Sequence, residues 1–188
     1  MAAVSDSHVL RQFGALPFLV NEQGEISVLL VTTRGRREWI IPKGWPMRDL
    51  SAAAAAAREA YEEAGLIGSV VGAEAFGSYR YEKQRNSRKS MPCEVIVFLF
   101  AVERQLRKWP EKSQRETRWF PLEEASLAVA AAGLAELLSN ATPKSFIEQL
   151  RRQPTNSALS AADRPAEAAA GICKRLRLPV NQGAGCLP

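Results

Sequence analysis

The chain carries one histidine and three cysteines in 188 residues. Cys93, Cys173 and Cys186 are odd in number and scattered. They form neither a disulfide framework nor the paired spacing of a zinc site. This excludes a cysteine-stapled secreted scaffold and points to a reducing cytoplasm. His8 stands alone in a short polar leader and is read as a surface residue, neither ligand nor base. No apolar run approaches the ~20 residues that span a bilayer. The opening MAAVSDSHVLRQ lacks a charged start followed by an apolar stretch, so no secretory signal is expected. No internal repeat is visible. Hydrophobic residues at 46% and charged residues at 24% are ordinary for a soluble globular chain. The formal net charge of +5 fits an anionic ligand. A nucleic acid fits less well, and no membrane partner is expected.

Strands dominate the first two thirds. Residues 9–20 and 25–33 read as two strands able to form a hairpin, with Gly14 marking a bulge or a close backbone approach. Trp39-Ile40-Ile41 is a short strand, which Pro42 and Gly44 end. Residues 68–81 read as one strand interrupted by glycines, and 83–89 as a basic loop. Residues 91–102, MPCEVIVFLFAV, are the most apolar stretch and read as a strand buried on both faces. A short strand at 116–120 leads into helical patterning from Pro121 to Leu138, and a last helix covers 145–152. From Gln153 the chain turns Ala-, Ser- and Pro-rich, then basic at Lys174, Arg175 and Arg177. The expected organisation is one domain over 1–152 and a disordered basic tail over 153–188. The element pattern is α+β, suited to a mixed sheet packed against helices on both sides.

One stretch organises the rest: GWPMRDLSAAAAAAREAYEEAGL, residues 44–66. The alanine run gives strong helix propensity. Ser51 is placed to cap it, and Gly65 to end it in the left-handed conformation. The helix is therefore expected over 52–64. Glu59, Glu62 and Glu63 lie at i, i+3 and i+4 and share one face. Like charges at that spacing cost roughly 0.2–0.5 kcal/mol per pair. They also sit near the C-terminus, where the macrodipole disfavours anions. Arg58 can pair with Glu62, but one arginine cannot serve three carboxylates. A hard divalent cation can, because it takes oxygen ligands. A solvated acidic face is the other reading of the charges alone.

Basic residues flank this stretch on both sides. Arg34, Arg36, Arg37 and Lys43 precede it, and Arg80, Lys83, Arg85, Arg88 and Lys89 follow. Two clusters around an acidic helix suggest a groove for a substrate with many phosphates. Scattered solubilising charge is the alternative. Trp39 is read as either a core residue or an aromatic facing the substrate.

Residues 44–66 resemble the Nudix box: Gly44, five residues, a position usually glutamate, seven residues, then Arg58-Glu59-Ala60-Tyr61-Glu62-Glu63-Ala64-Gly65-Leu66. Leu50 stands where the family has its first glutamate. The resemblance implies an α/β/α sandwich with a mixed sheet and a catalytic loop-helix-loop. It also implies a Mg²⁺- or Mn²⁺-dependent pyrophosphohydrolase acting on a small phosphorylated substrate. Glu59, Glu62 and Glu63 would hold metal, Arg58 would orient them, and Gly44 and Gly65 would turn the backbone. Family members often recruit one further glutamate; Glu116 is the first candidate and Glu94 the second, with Glu59 or Glu116 as base. The order arginine, Trp39, Pro42-Lys43-Gly44 and a basic loop before the buried strand resembles the diphosphoinositol polyphosphate phosphohydrolase branch, which includes enzymes that cleave dinucleoside polyphosphates. RNA 5′-pyrophosphohydrolases share part of that order. A silent Nudix module that binds a phosphorylated ligand is the rival reading, favoured by Leu50 alone. The oligomeric state stays open.

Overall fold

The computed structural model describes residues 9–151 except 73, 87 and 88, and only the backbone of 85, 86 and 89. One eight-stranded mixed sheet runs through the molecule. Its centre is β1 (Leu10–Val20) lying parallel to the 17-residue β7 (Lys89–Gln105). β2 (Ile26–Thr32) folds back on β1 as the expected hairpin, closed by the Asn21 side chain accepting from the Gln23 and Glu25 amides. β3 (Trp39–Ile40) and β8 (Thr117–Pro121) pair with β2. β5 (Leu66–Val70) and β6 (Gly77–Asn86) both run antiparallel to β7.

Alternation along the strands divides the apolar residues between two cores, because successive side chains point to opposite faces. Leu16, Phe18, Val28, Leu30, Val95, Val97 and Leu99 face one way. They meet Leu122, Ala125, Leu134, Leu138 and Phe146 from α2 (Leu122–Ala128), α3 (Ala132–Asn140) and α4 (Pro143–Arg151). Ala15, Leu29, Val31, Phe98, Phe100 and Val102 face the other way, onto α1 (Ala52–Ala64). The result is an α/β/α sandwich. β7 is buried on both faces over residues 97–102, as its composition requires. On α1 the contact stripe is Ala56, Ala60 and Ala64, all fully buried. Small side chains at i, i+4 and i+8 let the helix lie close to the sheet.

Four local expectations change. Gly44 does not end the sheet: Lys43–Gly44 form a two-residue strand, β4, paired with β1. The strand expected at 68–81 is β5 and β6 with an excursion at 71–76, after which the chain returns to the same edge of β7. The basic loop at 83–89 shrinks, because β6 extends to Asn86 and β7 begins at Lys89. The late helix is two helices, split where Val129 bridges to Trp39. Gly14 is a close approach: a Cβ there would lie 2.9 Å from Ile41 Cδ1 and 3.1 Å from Val95 Cγ1. The tail over 153–188 lies outside the described residues.

Candidate active site

Cap chemistry sets α1 as expected. The Ser51 hydroxyl accepts from Ala54 N at 3.2 Å, and Gly65 takes φ 67° with its amide returned to the helix. The C-terminal end, which the glutamates should destabilise, is stitched to the last residue of β7 and the segment after it. Four carbonyls in a row accept from it: Glu62 O from Glu111 N at 3.1 Å, Glu63 O from Trp109 Nε1 at 3.2 Å, Ala64 O from Gln105 Nε2 at 2.9 Å, and Gly65 O from Leu106 N at 2.8 Å. These donors satisfy groups that a helix end otherwise leaves to water. They also blunt the negative end of the dipole beneath the glutamates. The Trp109 ring covers Gly65, where a Cβ would lie 2.6 Å from Trp109 Cδ2.

The three glutamates have different surroundings. Glu59 lies against Gly44, where any Cβ would overlap its carboxylate. Gly44 is therefore needed for space rather than for a turn. No hydrogen-bond donor reaches the Glu59 carboxylate from the described residues. Burial, then the neighbouring Glu62 and Glu111, push its pKa upward. Glu62 accepts from Arg58 Nε at 2.5 Å, the expected i, i+4 pair. Glu63 is buried, with Oε1 bound by Arg115 Nη2 and Oε2 accepting from Lys43 N at 3.2 Å. Burial lifts Glu63 to about 7 although Arg115 pulls the other way. Lys43 is held down to about 8 by burial, against the pull of Glu63. As they stand, the described residues hold no group of three carboxylate, imidazole or thiol side chains converging as a metal cage. Arg58 and Arg115 draw Glu62 and Glu63 to separate partners.

The carboxylate outside the box that joins this cluster is Glu111. It accepts from Arg115 Nε at 2.6 Å and pairs with Arg34. Burial works upward on it, but the bonds from Arg115 and Arg34 prevail and lower its pKa. Glu116, the first candidate on sequence, turns outward: its side chain is 64% exposed and pairs with Arg37 at 3.2 Å. Along that extended segment Arg115 points inward and Glu116 outward. Glu94 pairs weakly with Arg11 and Arg80 on the sheet.

The first basic cluster is largely spoken for. Arg34 pairs with Glu111 and Arg36 with Glu38. Arg37, at φ 58°, pairs with Glu116 and donates to Gln114 O. Trp39 stacks edge-on against Phe120 at the border of the core, which favours the core reading. Lys43 Nζ lies over the Tyr81 ring and Lys83 Nζ over the half-exposed Trp45 ring. Of the second cluster, Arg88 and the side chains of Arg85 and Lys89 lie outside the described residues. Sequence reasoning missed Glu111, Arg115 and Trp109. Their only local signal is the i, i+4 spacing of Glu111 and Arg115.

Fold and site together define an α/β/α sandwich with a carboxylate-bearing loop-helix-loop at its edge. The family model of the NUDIX domain matches residues 10–141, and the chain belongs to this family. Nudix hydrolase 4 of Arabidopsis thaliana is 35% identical over 100 residues, 53% of this chain and 46% of the relative. A diphosphoinositol polyphosphate phosphohydrolase of Homo sapiens is 26% identical over 147 residues, 74% of this chain and 77% of the relative. The chain spans about half the length of the plant relatives it matches. Among solved structures, a Caenorhabditis elegans Ap4A hydrolase binary complex superposes with a TM-score of 0.58 at 21% identity, covering 76% of this chain and 98% of that one. The Nudix domain of Shewanella oneidensis NrtR, complexed with ADP ribose, gives 0.54 at 17% identity, with 80% and 94% covered. At these identities the likeness is one of fold.

Proposed function

We propose that this protein hydrolyses a phosphoanhydride bond with a divalent cation, Mg²⁺ or Mn²⁺, held by the α1 carboxylates. The observation that carries this reading is Glu59: partly buried, pressed into the space Gly44 leaves, reached by no donor among the described residues, and near other carboxylates. An all-oxygen donor set of Glu59, Glu62 and Glu63, with Glu111 beside them, fits a hard cation. Once bound, that cation supplies Lewis acidity toward charge on the bridging and leaving oxygens. Glu59 takes the proton of the attacking water on the carboxylate oxygen that the cation leaves free. Arg58 orients Glu62. Lys43 offers a cation next to Glu63 for a substrate phosphate.

The substrate we favour carries several phosphates, as a diphosphoinositol polyphosphate or a dinucleoside polyphosphate does. Lys43, Lys83 and the basic run through Lys89 support this, as does the human diphosphoinositol polyphosphate phosphohydrolase among the relatives. The paired state of Arg34, Arg36 and Arg37 shifts the weight of phosphate binding to Lys43 and the residues after Arg80. A cytoplasmic location belongs to the same proposal. It rests on the scattered cysteines.

The test is phosphate and pyrophosphate release over a panel of diphosphoinositol polyphosphates, dinucleoside polyphosphates, nucleotide sugars and 5′-triphosphate RNA, with Mg²⁺ and with EDTA. Metal-dependent turnover, with the highest kcat/KM on the polyphosphates, supports the reading. A preference for nucleotide sugars would overturn the substrate class. Binding without turnover across the panel would favour the silent module that Leu50, 41% exposed in place of the first box glutamate, suggests.

A further inference from the structure

Arg115 bonds directly to the carboxylate cluster from a nearly buried position. Its side chain is 9% exposed, and it donates to three acceptors: Glu63 Oε1, Glu111 Oε2 at 2.6 Å, and Thr32 O at 2.8 Å. The backbone beside it is fixed as well. Glu116 N donates to Thr32 Oγ1 at 2.9 Å, and Thr32 N donates to Glu116 O at 3.0 Å. A buried guanidinium is costly unless its charge and donors are matched, and here two carboxylates and a carbonyl match it. Glu63 is equally committed, because its second oxygen takes the Lys43 amide. Arg58 serves Glu62 and Arg34 serves Glu111 from the surface, and the Lys43 ammonium acts on Glu63 only across space, so the direct ion pair to Glu63 is that of Arg115.

We propose that Arg115 is an internal counter-ion that competes with the divalent cation for Glu63. The proposal rests on the metal reading above. In the metal-free protein Arg115 holds Glu63 and Glu111 against the repulsion of Glu59 and Glu62. When the cation binds, Glu63 exchanges the guanidinium for metal, while Glu111 and Thr32 O keep Arg115 in place as a positioning residue. Each binding event therefore proceeds against a bond already made. The same bond lets the box fold without its metal.

A competitor has a thermodynamic signature that a ligand-organising residue lacks: its removal tightens binding. The experiment is Mn²⁺ titration by calorimetry, with no substrate present, on wild type and on Arg115→Met, alongside Tm in EDTA. Arg115→Met should melt lower without metal. It should bind Mn²⁺ at least ~10-fold more tightly, the scale of one hydrogen bond to a charged group. Its Tm should rise more on Mn²⁺ addition than that of wild type, by linkage. Arg34→Gln removes the same charge but leaves Glu63 bound, and its affinity should stay near wild type, which separates competition at Glu63 from a general change in field. If Arg115→Met does not fold in EDTA, Arg115→Lys decides by the same criterion. It keeps the charge but cannot hold two carboxylates and a carbonyl at once, so its affinity should still exceed that of wild type. Unchanged or weaker Mn²⁺ binding in the folded variant overturns the proposal, as does equal tightening in Arg34→Gln. A wild-type protein that takes up no Mn²⁺ removes the metal reading and this proposal with it.

Discussion

Glu59 and Glu63 stand one turn apart on the same face of α1, yet their surroundings assign them different work. Glu63 is bonded on both oxygens, whereas Glu59 lies against the bare backbone of Gly44 and no donor among the described residues reaches it. A methyl at Gly44 would displace the Glu59 carboxylate, and misplacement on the scale of 1 Å can cost about 10²-fold in rate. Gly44→Ala should therefore lower kcat at least ~10-fold while Tm changes little, since β4 has ordinary backbone geometry. Lys43 gives a prediction in pH. Its folded value of about 8 lies below the ordinary 10.5. Between those values the unfolded chain holds a proton that the folded chain has released, so raising pH favours the folded state. Measured against Lys43→Met, wild type should gain stability as pH climbs from about 8 to about 10.5 and show no relative change below. A relative loss over that window would mean that Lys43 is not desolvated. At this scale the shared face of the glutamates was legible from spacing. The division of labour among them was not, because it depends on Gly44, Lys43 and Arg115, which meet α1 only in three dimensions.

Elements with local causes were read closely. The bounds of α1 follow from Ser51, the alanines and Gly65, all within one stretch, and the helix runs Ala52–Ala64 as spaced. Elements with distant causes were not. Nothing near Val129 breaks a helix; its bridge to Trp39 does. The basic run after Tyr81 reads as loop by composition, but the register of β6 on β7 carries it as strand. The stretch 108–114 reads as loop, yet the segment from Gln105 to Arg115 caps three carbonyls of α1 and that of Gly65, and brings Arg115, with Glu111, to Glu63. Trp109 is its anchor. Trp109→Ala removes the bond to Glu63 O and the cover over Gly65, and should cost about 2 kcal/mol. That is roughly half the ~3–5 kcal/mol of a fully buried aromatic, since Trp109 is only partly buried. Activity should fall further than stability implies, because Glu111 and Arg115 lose their seat. Chemical denaturation beside an activity assay checks both. A variant with wild-type stability would mean that the segment docks without its indole.

For the whole molecule, the two cores divided by one sheet explain why the middle of β7 is apolar on both faces, and that part was legible. The element pattern suggests helices on both sides of a mixed sheet and the family resemblance implies the sandwich, but alternation alone does not say which helices cover which face. The family match ends at residue 141, before the composition shift near Gln153. We therefore propose 1–152 as the domain: a chain ending at Arg152 should keep wild-type Tm and kcat, and a clear drop in either would place part of 153–188 on the domain.

All of this converges on one carboxylate. If the protein is a metal-dependent phosphoanhydride hydrolase with Glu59 as its base, then Glu59→Gln keeps the shape of the site and removes its proton acceptor. The direct test is kcat of Glu59→Gln beside wild type, at saturating Mg²⁺ on the best substrate of the panel, with Tm confirming the fold. The expected result is a loss of at least ~10²-fold, the lower end for a general base, at unchanged Tm. Near-full activity in the folded variant would contradict the account.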